Sequence, residues 1–117
     1  MSYKNSDIYK KAFELALRIE PVCRSFPRHE QYALAEQLRN ASRSIGANYV
    51  EGYVRQNILP ADHRRFLIYS QGSCDETRYW LDFGKAIGLI PAEKHQELVP
   101  FCNSLTRMLV PLIRGLS

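Results

Sequence analysis

Two carboxylates and one amide are the side chains best placed for chemistry in this sequence. At 100° per residue, Asn48 and Glu51 fall at or beside the apolar side of one predicted helix, and Glu76 does so on the next. A carboxylate pair at a helix contact could serve as general acid and base. The alternative is a hydrogen-bonded polar layer that fixes helix register, since an unpartnered buried charge is very costly. We favour the structural layer, because no nucleophile, cofactor loop or metal ligand accompanies the pair.

The histidines and cysteines lack the spacing of a metal site. There are three of each, at His29, His63, His95, Cys23, Cys74 and Cys102. None of the histidines is part of the Glu-x-x-His pattern that di-iron bundles use twice, and no cysteine has a C-x-x-C partner. Gly46 and Gly72 belong to helical patterns and not to a phosphate-binding loop after a strand. We therefore predict no catalytic residue, no metal and no cofactor.

Arginine is the residue type that most suggests a partner, because its guanidinium group binds phosphate in a bidentate manner. Five arginines in the middle of the chain are candidate nucleic-acid-binding residues: Arg39, Arg43, Arg55, Arg64 and Arg65. The alternative is a solvated face with ion pairs, such as Glu36 with Arg39, or salt bridges between subunits. The pattern permits an RNA-binding surface without requiring one.

Four segments must position these side chains, and each has apolar residues at alternating steps of three and four. They cover about 8–26, 34–56, 61–87 and 91–116, with Ser6 or Asp7 placed to cap the first. The stripe in the third segment consists of Phe66, Ser70, Ser73, Thr77, Trp80, Gly84 and Ile87. Pro21 should kink the first helix, and Pro100 and Pro111 should bend the fourth or break it into pieces. No segment shows period-two alternation, so we predict an all-α, up-down-up-down four-helix bundle.

The second segment is apolar on two sides. Ile45, Tyr49 and Gly52 face the predicted helix contact, whereas Gly46, Val50 and Val54 lie on the opposite side. A helix of this kind needs a second surface to bury against, and one small bundle offers only one. We therefore predict that Gly46, Val50 and Val54 form an oligomer interface.

Length and charge set the broad class of protein. The 117 residues fit one domain over 1–117, and 16 Lys plus Arg against 12 Asp plus Glu give a net charge of +4. Residues 1–11 are polar and do not form a signal peptide. No apolar run reaches the roughly 18 residues that a membrane span needs. We expect a cytoplasmic protein with reduced thiols and no membrane contact.

Several motifs resemble those of the 23S rRNA intervening-sequence proteins. They include DIYKKAFELA at 7–16, Phe26-Pro27, and QLRNASRSI at 37–45 followed by Asn48 and Glu51-Gly52-Tyr53. The similarity continues through Phe66-Leu67, Gly72-Ser73, Glu76 and Gly88-Leu89-Ile90, and so covers nearly the whole chain. Gly46 stands where the family usually has proline, and Tyr49-Val50 replace the usual Ile-Ala.

The resemblance implies an antiparallel bundle that assembles into a cyclic oligomer, with pentamers known among such small bacterial cytosolic proteins. A related bundle, the accessory variability determinant of diversity-generating retroelements, is a basic pentamer that binds nucleic acid and a reverse transcriptase. No catalytic residues come with the family. We therefore expect a non-enzymatic homo-oligomeric interaction protein that binds RNA or a ribonucleoprotein. The alternative is a protein-protein adaptor or structural assembly module without a nucleic-acid role.

Overall fold

The structure is a computed structural model that describes residues 2–116. It contains four α-helices: α1 (Asp7–Arg24), α2 (Leu34–Tyr53), α3 (Pro60–Ala86) and α4 (Ala92–Gly115). Short 3-10 turns at Tyr3–Asn5 and Arg28–Glu30 precede α1 and α2. No strand occurs within the described residues, so the predicted all-α class is confirmed. The four helices pack into a body of 45 × 23 × 23 Å.

The helix ends follow local sequence signals. Ser6 caps α1, because its Oγ accepts hydrogen bonds from the backbone N–H groups of Ile8 and Tyr9 at 3.2 and 3.4 Å. Pro60 occupies the first turn of α3, where a missing N–H costs nothing. Gly88, with φ of +80°, ends the same helix in a left-handed turn that favours glycine.

The prolines inside α1 and α4 do not divide these helices. Each helix continues without interruption through Pro21, Pro100 and Pro111, so the break that was one of two expectations for the last segment does not occur. All three prolines are exposed. The carbonyl group that loses its partner in the preceding turn therefore lies on the solvent side, where water can bind it.

The core is apolar and is built from all four helices. Its largest fully buried side chains include Leu15, Ile19, Leu38, Ile45, Leu67, Leu81, Leu98, Leu105 and Leu109. Each helix packs against its neighbours in the chain, and α1 also packs against α4. These contacts close the four helices around one hydrophobic interior.

The buried face of α3 differs from the predicted stripe. Its buried residues are His63, Leu67, Ser70, Cys74, Thr77, Leu81 and Gly84. The stripe was right at Ser70, Thr77 and Gly84 but wrong at Phe66, Ser73, Trp80 and Ile87, which are half-buried or exposed. Because the two stripes share Ser70, Thr77 and Gly84, the buried face is rotated from the predicted one by only about 50°, half of the step between successive residues. This places Leu67 and Leu81 in the core instead of Phe66 and Trp80.

Candidate functional site

The five predicted arginines lie in two separate groups. Arg39 and Arg43 bind Glu20 of α1, whereas Arg55 binds Glu51 at the other end of α2. Arg39 and Glu51 are separated by about 18 Å along the helix axis, at 1.5 Å per residue. The chain therefore does not bring the five residues together into one patch.

Glu20 is the centre of the first group, which we call the Glu20 cluster (Glu20, Arg24, Arg39 and Arg43). Its Oε1 accepts from Arg39 Nε at 3.0 Å and from Arg43 Nη2 at 2.9 Å, and its Oε2 accepts from Arg24 Nε at 3.0 Å. The hydrogen bond from Arg39 is the main reason that the pKa of Glu20 is below its usual range. Three cations around one carboxylate leave two positive charges in excess.

The connection between α1 and α2 is fixed beside this cluster. Gln31 Nε2 donates to the backbone oxygens of Cys23 and Phe26, both at 2.9 Å. Gln31 Oε1 accepts from Arg39 Nη1 at 3.5 Å. The guanidinium of Arg39 is therefore anchored on two sides, and only 21% of its side chain is exposed.

Arg24 and Arg43 are the accessible members of the Glu20 cluster. Their side chains are 75% and 61% exposed. Our sequence reasoning missed Arg24, although Glu20 and Arg24 have the i, i+4 spacing that brings oppositely charged side chains together on a helix. It also missed Glu20 itself, because Arg39 and Arg43 reach it from another helix.

The second group surrounds the ring of Phe66. The guanidinium carbons of Arg55 and Arg65 lie 4.7 and 5.6 Å from the ring centroid, within the range of cation–π interactions. Each of the two also has a carboxylate of its own, because Arg55 pairs with Glu51 at 2.6 Å and Arg65 with Asp62 at 2.8 Å. The local charge of this group is therefore largely balanced.

Arg64 has a structural contact. Its Nε donates to the backbone oxygen of Ile113 at 3.3 Å, which joins the start of α3 to the last turns of α4. An arginine that caps a carbonyl group near a helix C-terminus stabilises that end of the helix. Of the five predicted arginines, Arg64 is thus the one whose side chain bonds to another helix's backbone.

The predicted polar layer between α2 and α3 is not formed within the chain. Asn48 Nδ2 donates to the Ser44 carbonyl in its own helix at 2.9 Å, and Glu51 is exposed and paired with Arg55. Glu76 is also exposed and accepts from Trp80 Nε1 at 3.1 Å. The prediction is corrected here, because both carboxylates project into solvent and avoid the cost of burial.

Two other side chains make the polar contacts between α2 and α3. Ser70 Oγ donates to the backbone oxygen of Ile45 at 2.7 Å, and His63 Nδ1 lies 2.8 Å from the backbone oxygen of Gly52. Both contacts are buried. In both contacts the partner is a main-chain carbonyl group. The sequence therefore contains no second polar side chain that would have indicated either contact.

Gly46 and Val50 of the predicted interface line a groove between α1 and α2. The groove has a volume of about 340 Å³ and is mostly apolar, with Tyr9, Phe13 and Ala47 among its other lining residues. Val54 follows the last residue of α2 and does not line it. The chain therefore brings together two of the three predicted interface residues, on a surface that also includes α1.

The cysteines are buried and unpaired. Cys74 Sγ lies 3.3 Å from the backbone oxygen of Cys102 and donates to it, while burial raises the pKa of Cys23 to about 11. No group of three potential metal-binding side chains occurs within residues 2–116. Among the helices of this part of the chain, none combines the length and the apolar composition needed to cross a membrane.

Comparisons with known proteins agree with the motifs of the sequence. A family model described as "23S rRNA-intervening sequence protein" matches residues 4–111. No curated protein matches the chain. A crystal structure at 1.70 Å of a protein of unknown function from the S23 ribosomal protein family of Bacteroides thetaiotaomicron has a similar fold, with a TM-score of 0.80 and 25% identity. The alignment covers 91% of this chain and 97% of that one. The chain therefore belongs to the 23S rRNA-intervening sequence protein family.

Proposed function

We propose that this protein is a non-enzymatic, oligomeric four-helix bundle that binds RNA or a ribonucleoprotein through its arginine-rich surface. The observation that carries the proposal is the Glu20 cluster, where Arg24, Arg39 and Arg43 surround one carboxylate. Three guanidinium groups around one carboxylate leave an excess of positive charge that can bind phosphate. We also propose a location in the bacterial cytoplasm, which the resemblance to the 23S rRNA intervening-sequence proteins supports.

The bundle is proposed to be antiparallel, with an up-down-up-down course. Ser6, just before α1, bonds to Tyr49 near the end of α2, and Glu20 near the end of α1 bonds to Arg39 near the start of α2. Short connections between helices favour antiparallel neighbours. This course places the α1–α2 connection and the Glu20 cluster at one end of the molecule.

Assembly would multiply a modest charge. One chain carries +4, which is too little for tight binding to nucleic acid. We propose a cyclic homo-oligomer, most simply a pentamer, in which five copies at +4 each carry +20. The groove that contains Gly46 and Val50 supports assembly, because it leaves apolar side chains of α1 and α2 uncovered.

RNA recognition in this proposal depends on the backbone and shape of the nucleic acid. Arg24 is an exposed cation of the Glu20 cluster that lies outside the groove, whereas the ring of Phe66 is already covered by Arg55 and Arg65. Tyr32, which is 89% exposed in the α1–α2 connection, offers one free ring near the Glu20 cluster and not the series of rings that base stacking along a strand uses. Binding should therefore depend strongly on salt and weakly on sequence.

The experiment is a salt titration of binding to a structured RNA, followed by fluorescence anisotropy. The log-log slope should be near −0.9 for each phosphate contact on duplex and near −0.7 on single strands. Arg24→Ala/Arg39→Ala should make this slope less steep and weaken binding. Arg43 is kept in this variant, because it also lines the groove.

The matched control is Lys85→Ala/Arg107→Ala. This variant also loses two positive charges, but from exposed positions outside the Glu20 cluster. It should therefore change the salt slope less than Arg24→Ala/Arg39→Ala does. Absence of binding at about 50 mM salt, or equal slopes for the two double variants, would contradict the RNA proposal.

A protein-protein adaptor is the second candidate function. It is favoured by the pairing of Arg55 and Arg65 with Glu51 and Asp62, since such pairs neutralise the cations that RNA would need. The uncovered apolar surface of the molecule would then be its functional part. This function becomes the leading one if the salt titration shows no RNA binding.

A further inference from the structure

A row of exposed apolar side chains runs along the outer face of α3. It includes Tyr69, Tyr79, Phe83 and Ile87, of which Tyr79 is the most exposed at 59%. The ring of Trp80 contacts those of Tyr79 and Phe83, at centroid distances of 4.9 and 5.8 Å. We call this surface the α3 face. Exposed apolar side chains grouped on one side of a helix in a small protein indicate an interaction site.

The α3 face contains one carboxylate and one position without a side chain. Glu76 accepts a hydrogen bond from Trp80 and forms no ion pair with another described residue. Gly72 lies one helical turn before it, and a Cβ added there would meet nothing within 4 Å. Packing within the chain therefore does not require a glycine at this position, and its absent side chain permits close approach by another molecule.

The groove between α1 and α2 has complementary properties. Its lining includes the small residues Ala16, Gly46 and Ala47, together with the aromatic side chains of Tyr9 and Phe13 from α1. A Cβ on Gly46 would lie 3.6 Å from Ala12 Cβ, an ordinary contact, so this glycine too is not required by the chain's own packing. Small residues on both surfaces allow two helices to approach closely.

Charge also matches between the two surfaces. Arg43 is the one charged side chain among the described residues that line the groove. Its hydrogen bond to Glu20 uses Nη2, and a guanidinium group has five N–H donors, so it can bind a second carboxylate. Glu76 is the carboxylate that the α3 face offers.

We propose that the α3 face of one copy docks into the groove between α1 and α2 of a second copy, with Glu76 facing Arg43. The inference rests on the proposed assembly and names its two surfaces. The α3 face spans about 27 Å from Tyr69 to Ile87, whereas α2 lines the groove over about 12 Å from Ser42 to Val50, so the part of the face around Glu76 would occupy the groove. Because the two surfaces differ and each chain has both, the contact is head-to-tail and can close into a ring.

The experiment blocks each surface separately. Gly72→Arg places a long charged side chain on the α3 face, and Ala47→Arg places one in the groove at an exposed residue. Gly72→Arg should not unfold the chain, since the position is open and most residues are better helix formers than glycine. Each variant alone should be monomeric at micromolar concentration by sedimentation velocity, with dissociation constants raised about a hundredfold or more.

Mixing the two variants is the decisive measurement. The Gly72→Arg chain keeps an intact groove and the Ala47→Arg chain an intact α3 face, so the mixture should form a dimer of one copy of each. Gly115→Arg and Ala92→Arg are the matched controls, because both positions are exposed and lie outside the two surfaces. Both controls should assemble like the wild type.

Other outcomes would overturn the inference. If Gly72→Arg assembles normally while Ala47→Arg does not, the groove binds a surface other than the α3 face, and the proposed assembly stands without this contact. If both variants assemble, neither surface is the contact. A monomeric wild type would contradict the assembly itself, whereas RNA binding would be judged separately by the salt titration.

Discussion

Replacing Glu20 by glutamine should change stability and RNA affinity in opposite directions. The carboxylate holds Arg24, Arg39 and Arg43 at 2.9 to 3.0 Å. Glutamine keeps the shape of the side chain but leaves three guanidinium groups around a neutral amide. The fold should therefore lose ion pairs, while the surface gains a full positive charge and releases its arginines to bind phosphate.

The stability that Glu20→Gln should lose can be judged from how exposed the paired side chains are. The pairs with Arg24 and Arg43 are exposed on the arginine side, and such pairs contribute about 0.2–1 kcal/mol each at most. The pair with Arg39 is more covered, at 21% and 23% exposure, but it is still partly screened by solvent. We expect Glu20→Gln to lower the free energy of unfolding by about 1–2 kcal/mol at neutral pH.

The loss should depend on pH. Because Arg39 and its neighbours lower the pKa of Glu20 below the reference value of 4.5, the stabilisation is fully present above that value. It is lost as the pH falls through the lower pKa of the folded state. The difference between wild type and Glu20→Gln in urea denaturation should therefore shrink in acid and remain constant from pH 6 to 8.

Glu97→Gln is the matched control for this prediction. Glu97 also binds two cations, Arg18 and Lys94, and its replacement changes the net charge equally. It lies outside the Glu20 cluster, so it should affect RNA affinity less than Glu20→Gln at the same salt concentration. If Glu20→Gln weakens RNA binding, or if both variants strengthen it equally, the cluster is not the binding surface.

Two further predictions concern a buried contact between α2 and α3 and an exposed ion pair at the end of α2. Ser70→Ala should lower the free energy of unfolding by about 1 kcal/mol, because it removes a buried hydrogen bond to the Ile45 carbonyl. The control is Ser44→Ala, because the hydroxyl of Ser44 makes no hydrogen bond to the Ile45 carbonyl. Equal losses of unfolding free energy for the two variants in urea denaturation would refute the role of Ser70. Glu51→Gln should cost about 0.5 kcal/mol or less, since it removes only an exposed pair within one helix. A loss above about 1 kcal/mol in thermal or urea denaturation would instead support a buried role for Glu51.

The number and position of the helices could be predicted from the sequence, because three-four spacing reports directly which residues share one side of a helix. The buried face of α3 could not be predicted from the sequence. That helix has apolar residues on two sides, because Phe66 is followed directly by Leu67 and Trp80 by Leu81. Periodicity finds the helix but does not decide which apolar side faces the core.

The candidate site was harder to predict than the fold. Arg39 and Arg43 could be identified by residue type, but their partner Glu20 is 19 and 23 residues away and is brought near only by packing. Ser70 was predicted to lie in the stripe of α3, but no pattern in the sequence indicated that its hydroxyl bonds to a main-chain oxygen. Contacts between helices and contacts to backbone atoms leave no spacing pattern in the sequence.

The complete burial of the three thiols makes them reporters of motion. Cys23, Cys74 and Cys102 are 0% exposed, and alkylating reagents react with thiolates that they can reach. Modification of the native chain must therefore wait for an opening of the bundle, and its rate measures how often the helices separate. Since Cys23 lies in α1, Cys74 in α3 and Cys102 in α4, the three rates compare the opening of three helices in a single experiment.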